Sequence, residues 1–171
     1  MSEPTLELSI NAADWEAIPD LSRLADRAVS ASLAAVGIPT EAVTVSLLLT
    51  DDDEMRRLNR TFRERDRATN VLSWPSMALD APLTARDIED PPVFLGDVAL
   101  GYQTVLAEAR EQSKTIEQHA SHLIVHGVLH LLGYDHQIDE DAAFMEGREV
   151  DALARLGWPD PYEIDAEPAE R

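Results

Sequence analysis

The chain has 171 residues, 44% of them hydrophobic, enough for one domain of ordinary size to enclose an apolar core without covalent staples. Its 33 acidic against 14 basic residues give a formal net charge of −19, which excludes a protein that holds nucleic acid with its whole surface. There is no cysteine, so closed thiolate-rich structural metal sites are excluded, and no apolar run approaches the roughly 20 residues that cross a bilayer.

The opening stretch MSEPTLELSINAADW is acidic and lacks the basic and apolar regions of a secretory leader, so a cytoplasmic protein is expected. Within it, residues 5–10 alternate apolar and polar and predict a short strand. Residues 20–36 carry Leu21, Leu24, Ala25, Val29, Leu33 and Val36 at helical spacing, and Gly37, Ile38 and Pro39 close that helix. Val43 to Thr50 is an apolar, β-rich run suited to a central strand. Asp51 to Asp53 supply N-cap chemistry for a second helix, with Met55, Leu58 and Phe62 on its inner side.

Six of the 14 basic residues fall between 56 and 67: Arg56, Arg57, Arg60, Arg63, Arg65 and Arg67, with only Glu64 and Asp66 as local acids. This is a positive patch on an acidic body. Either it is a solvated face whose arginines pair with neighbouring acids, or its guanidinium groups fork onto phosphate oxygens.

Asn70 to Trp74 predicts a third strand, stopped by Pro75, and Phe94 to Leu100 a fourth. Residues 79–92, with Pro82, Pro91 and Pro92, predict an exposed loop across which these two strands pair as in a hairpin. Residues 102–112 and 115–132 are helical in pattern, Thr115 and Gln118 forming a capping box at the start of the second. A last helix runs from Glu140 to Leu156 and ends at Gly157, Pro159 and Pro161. Residues 1–164 are expected to form the domain, and the acidic tail 165–171 to be flexible. Strands in the first 100 residues followed by helices predict an α+β fold: one mixed sheet of about four strands packed with about five helices.

All five histidines lie between 119 and 136, and His119, His122, His126 and His130 step by three, four and four along one helical stripe. The segment HGVLHLLGYDH places His126 and His130 one turn apart, and Gly133 can take the left-handed conformation that ends a helix and returns His136 to the same point. Three neutral imidazoles suit one zinc ion with a fourth position left open, although imidazole also suits nickel, copper and iron. His122 is a candidate general base because it titrates near neutrality, and Asp135 a candidate to orient His136 through a second bond. His119 and His122 equally fit hydrogen-bonded, partly buried roles.

The spacing is that of the metzincin peptidase signature, H-E-x-x-H-x-x-G-x-x-H, except that Gly127 stands where the glutamate general base belongs. Peptide hydrolysis by that route is disfavoured. Taken together, HLIVHGVLHLLGYDH (122–136), LNRTFRERDRATNVLSWP (58–75), LGDVALG (95–101) and LGWPDPY (156–162) resemble the bacterial YbeY family of metal-dependent endoribonucleases that act in ribosomal RNA maturation. Ala68 departs from the proline usual there, a change in turn rigidity rather than chemistry.

The resemblance implies zinc, one ion per chain, on His126, His130 and His136, and an arginine important for RNA cleavage at Arg63, with Phe62 and Asp66 completing that motif. It also implies association with the small ribosomal subunit and a part in translation quality control. On this reading Arg63 holds the scissile phosphate, Arg56, Arg60, Arg65 and Arg67 line the path of a single-stranded RNA with it, and neither DNA nor a membrane is a partner. The alternatives are a metzincin-like metallopeptidase with a displaced base, and a non-catalytic zinc protein that assists ribosome assembly.

Overall fold

The structure, a computed structural model, describes residues 6–135 and 139–162. Four strands, β1 (Leu6–Ile10), β2 (Val43–Thr50), β3 (Val71–Pro75) and β4 (Val93–Gly101), form one sheet in the order β1-β2-β4-β3. β1 and β4 run parallel to β2 on either side of it, while β3 runs antiparallel to β4 and occupies an edge. The helices are α1 (Leu21–Ala35), α2 (Asp52–Arg63), α3 (Tyr102–Glu111), α4 (Ile116–Leu131) and α5 (Asp139–Arg155). This is the expected α+β class, with each expected strand and helix within a few residues of its place.

Alternation in β2 decides the two faces of the sheet. Val43, Val45, Leu47 and Leu49 are buried in the main core, and the residues between them are partly exposed. The main core lies between the sheet and α1, α4 and α5; the opposite face carries only a small cluster of Met55, Leu72 and Ala99 beneath α2. Asp51 caps α2 as expected, its carboxylate accepting from the Glu54 amide at 2.9 Å.

α4 is the central helix. It packs against α1, α3 and α5 and lies on β3 and β4, which is why its apolar residues are not confined to one stripe. Gly127 permits the close approach to the sheet: a Cβ there would stand 2.7 Å from Val98 Cγ1 and 3.2 Å from Ser73 Oγ.

Two features are not expected from periodicity. A short 3₁₀ turn, Ala13–Ala17, drives Trp15 fully into the core, where Nε1 donates to the Thr50 carbonyl at 2.8 Å. In β4 the register slips by one residue opposite Thr44 and Val45, and Gly96 at φ +139° completes the bulge; a Cβ there would lie 2.3 Å from the Trp74 carbonyl.

Candidate metal centre

α4 carries the histidine stripe from one end to the other. It starts at Thr115, whose hydroxyl accepts from the Gln118 amide at 3.1 Å. Successive ring centroids of His119, His122, His126 and His130 are 6.3, 6.5 and 4.5 Å apart. The last step is the shortest because two ring nitrogens converge: Nε2 of His126 and Nε2 of His130 are 3.1 Å apart.

The other nitrogen of each ring is engaged. His126 Nδ1 donates to Glu149 Oε2 at 2.5 Å, and His130 Nδ1 donates to the Tyr134 carbonyl at 3.0 Å. These bonds fix the tautomers that leave both Nε2 lone pairs directed at one point. Two lone pairs so close repel unless a cation stands between them. Two nitrogens bound tetrahedrally to zinc at about 2.0–2.1 Å are separated by about 3.3–3.4 Å, so the pair fits that ion.

The chain leaves α4 as expected. Gly133 adopts φ +97°, the Tyr134 amide bonds back to the Leu129 carbonyl at 3.0 Å, and this reversal delivers the Tyr134 carbonyl to His130. A Cβ on Gly133 would also meet the Ala81 carbonyl at 3.0 Å. His136, the third expected ligand, lies outside the described residues, and among the described residues no group of three or more donors completes a metal site. Asp135 lines the cleft in front of the histidine pair.

Glu149, absent from the residues singled out by motif, is the hub behind the site. Its side chain is fully buried and receives three donors: Tyr162 Oη, His122 Nε2 at 3.1 Å and His126 Nδ1. Burial opposes its charge, but the hydrogen bonds from His122, His126 and Tyr162 outweigh burial and hold the carboxyl at about 2. Burial, reinforced by Glu149, keeps the Tyr162 hydroxyl protonated well above the usual phenol range. The signal for Glu149 was its place among inward residues of α5, four after Met145 and four before Leu153.

The two remaining histidines have different partners. His119 is buried, its Nε2 2.8 Å from Glu108 Oε1, and burial pushes its pKa down. His122 contacts Glu149 and the Tyr162 hydroxyl, the latter at 3.2 Å, so it sits behind His126 on the carboxylate that orients it.

In front of His126 and His130 opens a cleft of about 560 Å³, walled on the other side by β3 and by Arg63. Arg63 is the last residue of α2; Glu64 then turns left-handed at φ +58°, and the guanidinium Nη2 donates to the Ser73 carbonyl. The other arginines are placed differently. Arg56 forks onto Asp66 at 2.6 and 3.1 Å, Arg60 lies 3.7 Å from the same carboxylate, and Arg57 pairs with Glu54. Arg65 and Arg67 are exposed on the turn after α2 and do not line the cleft. Of the five arginines expected along an RNA path, Arg63 is the one brought to the histidine pair.

The cleft-facing edge of β3 offers a further strand only part of its backbone groups. The bonds Gly101 N to Asn70 O and Ser76 N to Leu95 O set the pairing so that Val71, Ser73 and Pro75 turn their backbone groups outward. Asn70 Oδ1 accepts from the Val71 amide at 2.6 Å, Arg63 covers the Ser73 carbonyl, and Pro75 has no amide hydrogen. An extended peptide would find fewer ladder positions there. Gly127 faces the sheet, not the cleft, so the position that holds the general base in zinc peptidases cannot serve here.

Comparison with known proteins identifies the family. A family model described as endoribonuclease YbeY matches residues 9–157. The endoribonuclease YbeY of Paramagnetospirillum magneticum is 46% identical over 162 residues, covering 92% of this chain and 96% of its own. That of Dinoroseobacter shibae is 47% identical over 165 residues, covering 93% and 91%. The solution structure of TM1509 from Thermotoga maritima shares the fold, with a TM-score of 0.54 at 24% identity over 93% of this chain and 99% of that one.

Proposed function

The chain belongs to the YbeY endoribonuclease family, and from that premise we propose that it is a zinc-dependent endoribonuclease that cuts single-stranded RNA in the maturation of small-subunit ribosomal RNA and in ribosome quality control. The observation that carries this reading is the single cleft shared by Arg63 and the converging Nε2 atoms of His126 and His130. Ribosomal RNA and the small ribosomal subunit are then its partners, and the cytoplasm its compartment. Among the described residues no helix is long and apolar enough to cross a membrane.

The contacts support a division of labour. Zinc held by His126, His130 and, by spacing, His136 would supply Lewis acidity to a phosphodiester oxygen. Arg63 binds the phosphate: its contact with Ser73 fixes the guanidinium, and its remaining N–H groups face the cleft to offset charge that develops there. Glu149 holds the His126 ring in place, and the Tyr134 carbonyl does the same for His130. His122 acts through Glu149, since its Nε2 is directed to that carboxylate. An unpaired strand can bend a phosphate into such a cleft, whereas the stiff rod of a duplex cannot.

The test is cleavage of a single-stranded ribosomal RNA fragment by the purified protein. Activity should vanish with a chelator and return with zinc, and Arg63→Ala should lose cleavage at unchanged zinc content and unchanged circular dichroism. Normal cleavage by that variant overturns the assignment.

A further inference from the structure

The cleft in front of the histidine pair does not end at His126. A second cleft of about 450 Å³ shares Asn70, Val71 and His126 with it as walls, so the two lie side by side at the histidines, and we take them as one trough. Arg63 stands in the first part. In the second stands Lys114, the only lysine in the chain.

Its place is set by the backbone. After α3, Ser113 takes a left-handed φ of +58°, the Lys114 amide bonds back to the Ala109 carbonyl at 2.8 Å, and Thr115 immediately caps α4. Although acids outnumber bases 33 to 14, Lys114 has no carboxylate within ion-pair distance among the described residues. Glu108 is the one acid lining this part of the trough, and its Oε1 already receives Asn70 Nδ2 at 2.9 Å and His119 Nε2 at 2.8 Å. Lys114 thus lines this cleft without an ion-pair partner among the described residues, and a compact cation with rotatable donors suits a phosphate.

We propose that Lys114 holds a second phosphate of the RNA strand, so that the strand crosses His126 with one backbone phosphate at Arg63 and another at Lys114. The inference rests on the endoribonuclease reading and deepens it. The substrate class is then an oligonucleotide long enough to span both parts of the trough; a fragment with a single phosphodiester fills one part and gains nothing from the lysine.

The experiment measures binding of a short single-stranded 2′-O-methylated RNA to the zinc-loaded protein by fluorescence anisotropy across a salt series, with RNA integrity checked on a gel. Each phosphate contact with a single strand contributes about 0.7 to the slope of log K against log salt. Lys114→Gln should flatten the slope by about that amount, Lys114→Arg should restore it, and a dinucleotide should bind wild type and Lys114→Gln alike. An unchanged slope and affinity in Lys114→Gln overturns the inference while leaving the nuclease intact. Wild-type protein that neither binds nor cuts RNA overturns the underlying reading and this inference with it.

Discussion

Glu149 Oε2 stands 2.5 Å from His126 Nδ1, a contact between the interior of one helix and the cleft face of another. It makes the carboxylate a determinant of which imidazole nitrogen is available to a metal. Glu149→Gln keeps the volume but can offer an amide donor to His126, favouring the wrong tautomer. Zinc affinity, measured by competition with a chromophoric chelator, should fall about 10–100-fold. Tyr162→Phe removes one of three donors to the same carboxylate and should cost less. Wild-type affinity in Glu149→Gln would remove the carboxylate from the account of the metal centre.

The arginines should separate by position. Arg63→Ala is expected to lower the single-turnover rate of RNA cleavage by about 10²–10³, the usual cost of deleting one preorganised donor to developing charge. Arg63→Lys should recover only part, because an ammonium cannot bond Ser73 and fork onto a phosphate together. Arg56→Ala and Arg60→Ala, whose partner is Asp66, should lose far less. Equal losses at all three would mean the patch acts as diffuse charge.

Gly127 is predicted to resist any side chain. The added Cβ of Gly127→Ala meets Val98, and overpacking of this kind costs about 1–3 kcal/mol. For a domain of this size the melting temperature falls by roughly 2–4 °C per kcal/mol, which calorimetry can read. Gly127→Glu should be worse and should yield no peptidase activity on an unstructured protein.

His119 gives a pH dependence with a definite sign. Burial lowers its pKa in the folded protein, so as pH falls below about 6.5 the unfolded chain takes up a proton that the folded chain refuses. Stability should therefore decline from neutral pH toward lower pH. His119→Gln should flatten the decline in urea midpoints relative to wild type, both zinc-loaded so that the metal's own proton linkage cancels. An identical slope in the two proteins would contradict the assignment.

Much of this arrangement was legible in the sequence. Periods of two and near four placed the strands and helices, Asp51 and Thr115 announced caps, and Gly133 marked the reversal that presents the Tyr134 carbonyl to His130. The hairpin-like pairing of β3 with β4 was legible from the loop between them, but the rest of the sheet order was not, since strand periodicity carries no information about neighbours. Trp15 was missed because a five-residue 3₁₀ turn is too short to show a period. Glu149 resembles any helical glutamate until α5 is known to turn that face toward α4. The pairing of Arg56 and Arg60 with Asp66 depends on the left-handed turn at Glu64, a conformation that the residue type does not advertise.

Because the outward rim of β3 is plugged by the same guanidinium that faces the cleft, loss of Arg63 also uncovers the Ser73 carbonyl. Bare sheet margins invite a second copy to add its own strand, the first step toward aggregates and fibrils. On the reading proposed above, Arg63 serves solubility as well as cleavage, and its substitution is expected to raise self-association at high protein concentration. Assays of Arg63 variants read the chemistry alone only when the protein is dilute and light scattering shows it monodisperse.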